Sequence, residues 1–253
     1  MEYGLRQYIF VIRELTAREI KRKYSRSVLG IVWSVLHPLL FMIIMSMVFS
    51  GFASRQTNYP VYYITGYTIW TMFNVATTTA MTVFEDNKNL FQKTKMPREV
   101  LVLSRDYTAF VNLGCSSIAL VLVLIFYRIS LNWTVVFFFL AVILEGVFTV
   151  GISFLLATIY VFFKDIKFIW KNILVFIVHM IAVYIPIERY PEKLWPMTQK
   201  NPLFIYPDVA RKCILEKSYD LNEIKLMFIW SAIAFLVGFL VFKLLENDMV
   251  KKL

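Results

Sequence analysis

Six long apolar runs constrain this chain more than any other feature of its sequence. A helix needs about 20 predominantly apolar residues to cross the hydrocarbon core of a bilayer, and each run approaches or exceeds that length. The pattern predicts an all-α polytopic membrane protein in which residues 28–253 form one six-span domain. The transmembrane helices are expected at about residues 28–50, 60–84, 106–127, 133–163, 168–187 and 226–245.

The composition indicates that lipid surrounds much of the chain. Of its 253 residues, 59% are hydrophobic and 17% are charged, whereas about one quarter of a soluble domain is charged. The net charge is +10, but the basic residues are spread over the gaps between the apolar runs. Because they form no continuous patch, nucleic acid is not expected as a partner.

The distribution of these basic residues also predicts the orientation of the chain. If the N-terminus is cytoplasmic, the inner segments contain 18 Lys and Arg, and the two short outer segments contain two. Cytoplasmic loops are enriched in Lys and Arg, and long loops carry less weight in this comparison. Both termini are therefore expected on the cytoplasmic side of the membrane.

Residues 1–27 have the pattern of an interfacial amphipathic helix. Basic residues occupy other faces of this helix and would contact anionic lipid in the headgroup region. An ordinary basic flank of the first span is the alternative, although a flank needs no apolar face. The apolar residues at helical spacing are Leu5, Tyr8, Ile9, Ile12, Leu15 and Ile20.

The segment 188–225 is too apolar for a solvated linker and too rich in proline for one long helix. Its prolines are Pro191, Pro196, Pro202 and Pro207. Irregular backbone at membrane depth is tolerated only against protein or a water-filled cavity. We therefore predict short, partly re-entrant helices between the fifth and sixth spans, which cover a pathway as an external gate.

Motifs for catalysis are missing from the sequence. It contains no Walker A motif, no HExxH, no GxSxG and no Cys/His cluster suited to a metal. We therefore expect no catalytic residue, no metal site and no cofactor in this chain itself.

Two polar residues within the predicted spans are candidates for function. Glu145 is the only acid in the interior of a predicted span, and His179 lies at similar depth in the next span. An intramembrane carboxylate is normally paired or faces water. Glu145 and His179 are therefore expected either to interact or to line a hydrated lumen, unless a protonated Glu145 is satisfied by a neighbouring hydroxyl.

The second span is free of charge but unusually rich in aromatic and hydroxyl-bearing residues. Aromatic rings beside hydrogen-bonding groups suit the faces and edges of sugars, so these residues could line a channel. Threonine-rich packing between helices is an equally good interpretation. The candidate channel residues are Tyr62, Tyr63, Tyr67, Trp70 and Asn74.

Four motifs occur in the order seen in a known family. They are KRKYSRSVLGIVWSVLHPLL at 21–40, NKNLFQKTKMPREVLVLS at 87–104, VFFKDI at 161–166, and PEKLW and NPL within 191–203, followed by Arg211. Over essentially the whole chain, they resemble the membrane subunit of type 2 ABC exporters for lipid-linked polysaccharides, the O-antigen and teichoic acid permeases.

The resemblance implies that the segment 85–105 holds a coupling helix that docks onto a separate ATPase subunit. A short, rigid, charged helix can transmit a push, whereas a Gly/Ser loop cannot. A basic loop with a proline-started helix is the simpler alternative. The residues placed at or beside this contact are Lys93, Pro97, Arg98 and Glu99, with Lys164 and Asp165 at a second cytoplasmic contact.

The resemblance also implies the partners and the location of the chain. It predicts a homodimer with two nucleotide-binding subunits, which bind ATP and Mg²⁺, in the bacterial cytoplasmic membrane. The cargo would be an undecaprenyl-diphosphate-linked glycan. Its diphosphate needs cations at the inner mouth, and Arg22, Lys23 and Arg26 are the candidates.

Three other classes of protein are alternatives, and each would require different features. An ABC exporter of drugs or small lipids would share the architecture but would not need a hydrated, sugar-stacking channel. An ion-coupled secondary transporter would use Glu145 as a proton site, but it typically shows internal repeats and broken helices in both halves. A membrane glycosyltransferase would need paired carboxylates or arginine clusters on the external loop, where Asp208 and Arg211 are too few.

Overall fold

The computed structural model describes residues 5–25, 29–49, 58–93 and 96–252, and within them the chain is almost entirely helical. Helices α1 and α2 are Leu5–Tyr24 and Trp33–Phe49, and α3 to α5 are Tyr59–Met81, Val83–Asp86 and Lys88–Lys93. The long helices α6 and α7 are Glu99–Phe126 and Val135–Phe162, followed by α8 at Ile166–Met180. The remaining helices are α9 at Trp195–Gln199, α10 at Pro202–Arg211 and α11 at Leu221–Lys252.

Four described segments are long and apolar enough to cross a membrane. They are Gly30–Phe49, Glu99–Phe126, Val135–Phe162 and Leu221–Lys252, with mean hydropathy between 2.1 and 2.5. This confirms a polytopic helical membrane protein. The six-span count is not confirmed, because α8 has 15 residues and α3, with 23 residues, carries many tyrosines and threonines.

Helix α6, which corresponds to the third predicted span, begins earlier than the sequence predicts. We expected a span from about residue 106, but α6 starts at Glu99. The helix continues through two charged residues because both have partners: Arg105 pairs with Glu19 and Asp86, and Asp106 accepts a hydrogen bond from Ser153. The predicted coupling loop is thus largely helical.

Small residues bring α7 and α11 into close contact along their lengths. A Cβ atom on Gly238 would lie 2.0 Å from the carbonyl oxygen of Gly151, and one on Gly151 would lie 2.3 Å from the carbonyl of Ala234. Nearby, the Ser231 hydroxyl donates to the carbonyl of Leu144 at 2.8 Å. Close backbone approach through small residues is the usual way in which membrane helices pack.

Short helices occur between residues 187 and 216, with α10 the longest, whereas residues 221–225 already belong to α11; the re-entrant course and the gate role stay predictions. Pro202 occupies the first turn of α10, where no backbone N–H is needed, and the Asn201 side chain caps this helix by accepting from Leu203 N at 3.0 Å. Most side chains of α10 are buried against α3, α7 and α11. This helix is therefore part of the packed interior rather than a solvated loop.

Candidate functional site

A cavity of about 440 Å³ lies where the first residues of α8 approach the end of α1. Two of the cations predicted to bind a diphosphate, Arg22 and Lys23, line it. The other predicted cation, Arg26, lies outside the described residues. Two lysines that the sequence did not single out, Lys167 and Lys171, complete the group from α8.

The cavity has an excess of unpaired positive charge. Arg105 also lines it, but this side chain is neutralised by Glu19 and Asp86. No carboxylate within the described residues pairs with the other four lining cations, which are Arg22, Lys23, Lys167 and Lys171. Clustered cations suit a polyanion such as a phosphate or diphosphate, because each can donate charge-assisted hydrogen bonds.

A second cavity, of about 400 Å³, shares Lys23 with the first. Its walls, from α1, α2, α3 and α6, combine aromatic rings with hydrogen-bonding groups. The Tyr24 hydroxyl lies 2.5 Å from Ser34 Oγ and donates to Asn112 Oδ1 at 3.2 Å. Of the predicted channel residues, Tyr67 lines this cavity. One cavity is thus basic, the other combines aromatic rings with hydroxyl groups, and Lys23 lines both of them.

Most of the predicted channel residues on α3 lie inside the protomer. Tyr63 is 0% exposed, Tyr62 is 9% exposed and Trp70 is 4% exposed, whereas Asn74 is partly exposed. The Tyr62 hydroxyl donates to the carbonyl of Ala182 at 2.6 Å. For the buried rings, the geometry favours packing over a channel surface, and their role in a channel stays a prediction.

The threonine hydroxyls of α3 are satisfied within the helix. Thr65, Thr68 and Thr77 each donate to the carbonyl four residues earlier, at 2.7–2.8 Å. Such bonds satisfy a hydroxyl without an external partner. They support the packing interpretation of this helix for these three residues.

Glu145 and His179 do not meet in the described structure. Glu145 is 2% exposed and its Oε2 atom has no hydrogen-bond partner among the described residues. His179 is exposed, and its Nδ1 atom lies 2.7 Å from the carbonyl oxygen of Val175 on its own helix. No hydrogen bond or ion pair joins the two side chains, and the transport role of each stays a prediction.

The second predicted cytoplasmic contact, at Lys164 and Asp165, is joined to the coupling segment by bonds within the same chain. Lys164 Nζ lies 3.0 Å from Glu85 Oε1, and the Tyr160 hydroxyl donates to Glu85 Oε2 at 2.7 Å. These hydrogen bonds from Tyr160 and Lys164 hold the pKa of Glu85 below its ordinary value. Asp165 is exposed beside Lys164, at the start of α8.

The end of the coupling segment contacts α11 and α1. Arg98 pairs with Glu246 at 3.1 Å, and Glu99 pairs with Lys243 at 3.1 Å. The Tyr8 hydroxyl donates to Glu99 Oε1 at 3.1 Å. Pro97 is half-buried, and the side chain of Lys93 lies outside the described residues.

Arg211 is a buried residue that joins several segments, and little in the sequence indicated this structural role. It is 3% exposed, and its guanidinium donates to the carbonyls of Tyr62, Ala182 and Val183 at 3.0–3.2 Å. Its Cζ atom stands 3.7 Å from the centre of the Tyr62 ring, and the absence of a side chain on Gly66 leaves room for it. A family motif contained Arg211, but nothing in the sequence indicated its acceptors.

The long apolar helices define a polytopic membrane protein. The family model for ABC-2 type transporters matches residues 11–215. The chain therefore belongs to that family, as its motifs implied, and it is a transmembrane transport subunit.

Curated relatives extend the match over nearly the whole chain. It is 27% identical over 249 residues to an O-antigen export system permease protein RfbA of Klebsiella pneumoniae, covering 97% of this chain and 96% of the relative. A protein of the same name from Myxococcus xanthus is 31% identical over 171 residues, 67% of this chain and 66% of the relative. The capsule polysaccharide export inner-membrane protein CtrC of Neisseria meningitidis is 24% identical over 193 residues, 73% of this chain and 71% of the relative.

Proposed function

We propose that this chain is the transmembrane subunit of an ATP-driven exporter that moves a lipid-linked polysaccharide out of the cytoplasm. The names of its relatives, which export O-antigen and capsule polysaccharide, support a polysaccharide as the cargo. An undecaprenyl diphosphate carrier fits the chemistry of the basic cavity. O-antigen and teichoic acid are both glycans that can be held on such a carrier.

The observation that carries the proposal is the pair of cavities that Lys23 lines in common. The basic cavity would hold the diphosphate through Arg22, Lys23, Lys167 and Lys171. The adjoining cavity offers rings and hydroxyls, which suit the apolar faces and polar edges of sugars. A small apolar drug would need neither feature, which favours the polysaccharide over the drug or small-lipid alternative.

The proposed topology has six spans, with both termini in the cytoplasm. Contacts support it, because segments predicted to be cytoplasmic meet each other, as Glu85 and Lys164 do. Segments predicted to be external also meet, since Lys217 Nζ donates to Ser130 Oγ at 2.7 Å. Helices α3 and α8 connect these two ends and would therefore cross, with α9 and α10 as the external gate.

The exporter would be a homodimer bound to two ATPase subunits that supply ATP and Mg²⁺. The ATPase would dock against the coupling segment around Lys93 and Pro97. The apolar face of α8 is exposed in the single chain, and a second copy or lipid must cover it. Its exposed residues include Phe168, Ile169, Ile173, Phe176 and Met180.

Removing single cations from the basic cavity tests the proposal. We expect Lys167→Gln and Lys171→Gln each to lower polysaccharide export about tenfold or more, since a hydrogen bond to a charged group contributes about 1.5–3 kcal/mol. Export is measured as surface polysaccharide in cells whose only copy of the chain is the variant. Immunoblotting of membranes normalises for the amount of protein.

Lys225→Gln is the matched control, because Lys225 is exposed at the opposite end of the molecule. It should export at the wild-type rate. Wild-type export by both Lys167→Gln and Lys171→Gln would contradict the diphosphate site.

A further inference from the structure

We propose that the cytoplasmic end of α11, residues 242–249, belongs to the coupling apparatus, and that Arg98 and Glu99 act mainly within the chain. This inference rests on the proposed function, since it concerns how motion of the ATPase reaches the spans. Arg98 and Glu99 are positioning residues in this view. They pass the movement of the coupling segment to α11 instead of forming the docking surface themselves.

Two ion pairs join the start of α6 to the end of α11. Arg98 Nη1 lies 3.1 Å from Glu246 Oε1, and Lys243 Nζ lies 3.1 Å from Glu99 Oε2 and 3.2 Å from Glu246 Oε2. Lys243 thus bridges the two carboxylates, and the four side chains form one network. Arg98 and Glu99 directly follow Pro97 within the coupling segment, where Arg98 is the N-cap and Glu99 the first residue of α6.

An apolar contact holds the same part of α11 against the start of the coupling segment. Phe242 is 0% exposed, and its ring is stacked on Phe84 of α4, with centroids 6.0 Å apart and planes 10° apart. Met249, near the end of α11, is also 0% exposed. The end of α11 therefore contacts the coupling region at two places: Phe84, just before the segment, and the Arg98–Glu99 pair within it.

Helix α11 can carry a displacement far into the membrane because it is packed tightly against α7. The carbonyl of Gly151 leaves no room for a Cβ atom on Gly238, so neither backbone can slide toward the other. We infer that the two helices move as one rigid body, which is one of the known forms of conformational transition. A push on the coupling segment would thus move α11 and α7 together.

The network is suited to transmission more than to stability. The side chains of Arg98 and Glu246 are 28% and 19% exposed, and that of Lys243 is 39% exposed. Pairs this accessible to water contribute little to folding stability. Their loss should therefore leave a folded complex in which ATP hydrolysis is poorly linked to export.

The test is a charge exchange between Arg98 and Glu246 in the complex of this chain with its ATPase. We expect Arg98→Glu and Glu246→Arg each to lower the export achieved per ATP hydrolysed, by about threefold to thirtyfold. The double variant, Arg98→Glu with Glu246→Arg, should recover most of that loss. Co-purification with the ATPase and the rate of ATP hydrolysis should stay close to wild type in all three.

Lys251→Glu provides the control on the same helix. Among the described residues, the ion-pair partner of Lys251 is the exposed Asp248, one turn away, so reversing this charge should change neither export nor hydrolysis. The neutral variants Arg98→Gln and Glu246→Gln cover the case in which a reversed charge prevents folding. Combined, they should be no worse than either alone.

The possible negative results separate a failure of this inference from a failure of the proposed function. If Arg98→Glu abolishes co-purification while Glu246→Arg has no effect, Arg98 is a docking residue and the inference is wrong, although the proposed function stands. If Glu246→Arg and the double variant export as poorly as each other, the pairing does not transmit and the inference is also wrong. If the wild-type chain neither binds an ATPase nor exports with it, the proposed function itself fails.

Discussion

Arg211→Met is expected to lower the melting temperature of the purified protein by about 6–12 °C and to abolish export. The guanidinium satisfies backbone carbonyls of Tyr62, Ala182 and Val183, which methionine cannot do. Hydrogen bonds to a charged group are worth about 1.5–3 kcal/mol each, and part of this is offset by the desolvation of the arginine. We therefore expect a net loss of about 3 kcal/mol in the free energy of unfolding.

The measurement is thermal unfolding in detergent, with Arg128→Met as the matched control. Arg128 is exposed, so the same substitution there should shift the melting temperature by less than about 2 °C. Gly66→Ala is an independent test, since a Cβ atom on Gly66 would lie 1.9 Å from Arg211 Nη2. A normal melting temperature for both Arg211→Met and Gly66→Ala would show that the arginine does not hold α3, α10 and the turn after α8 together.

Gly238→Ala is expected to disrupt the packing of α7 on α11 and to leave little folded protein in the membrane. The added Cβ atom would lie 2.0 Å from the Gly151 carbonyl oxygen. Because that atom belongs to a backbone, only separation of the two helices relieves the overlap. Overpacking of this kind costs about 1–3 kcal/mol or more. We expect the upper end of that range, measured as the yield of monodisperse protein and its melting temperature.

Gly114→Ala is the control for this effect. Gly114 is on the exposed side of α6, and nothing lies within 4 Å of a Cβ atom added there. Alanine should stabilise that helix slightly, by up to about 1 kcal/mol. If Gly238→Ala and Gly114→Ala behave alike, the close approach of α7 and α11 does not limit stability.

The long apolar helices were predictable because hydropathy alone defines them. The span expected at 133–163 corresponds to α7 at Val135–Phe162, which is apolar along nearly its whole length. The start of α6 was not predictable in this way. Arg105 looked like a loop residue, and only its contacts with Glu19 and Asp86 show why a helix can contain it.

The candidate site was predictable only in part, for a related reason. The sequence indicated Arg22 and Lys23 from their place beside the first span. It could not indicate Lys167 and Lys171, because their role depends on how the start of α8 folds back toward α1. Arg211 was still harder to interpret, since its nearest acceptor lies 28 residues away in sequence.

The coupling residues show which structural features a sequence motif can predict and which it cannot. The sequence around Arg98 and Glu99 indicated a charged cytoplasmic element, and α4, α5 and the start of α6 occupy that region. It did not indicate that these two side chains face Lys243 and Glu246, about 144–148 residues away. The pattern of charges in a sequence predicts that a segment is cytoplasmic, whereas the partner of each charged side chain can be identified only from the fold.

Reconstitution in vesicles tests the central claim most directly. The chain, its ATPase subunit and an undecaprenyl-diphosphate-linked glycan would be placed together, and the transfer of glycan to the opposite leaflet would be followed after MgATP is added. We predict transfer only when ATPase and MgATP are both present, and none when the ATPase cannot hydrolyse ATP. Equal transfer by the chain alone, with or without a proton gradient, would contradict the account.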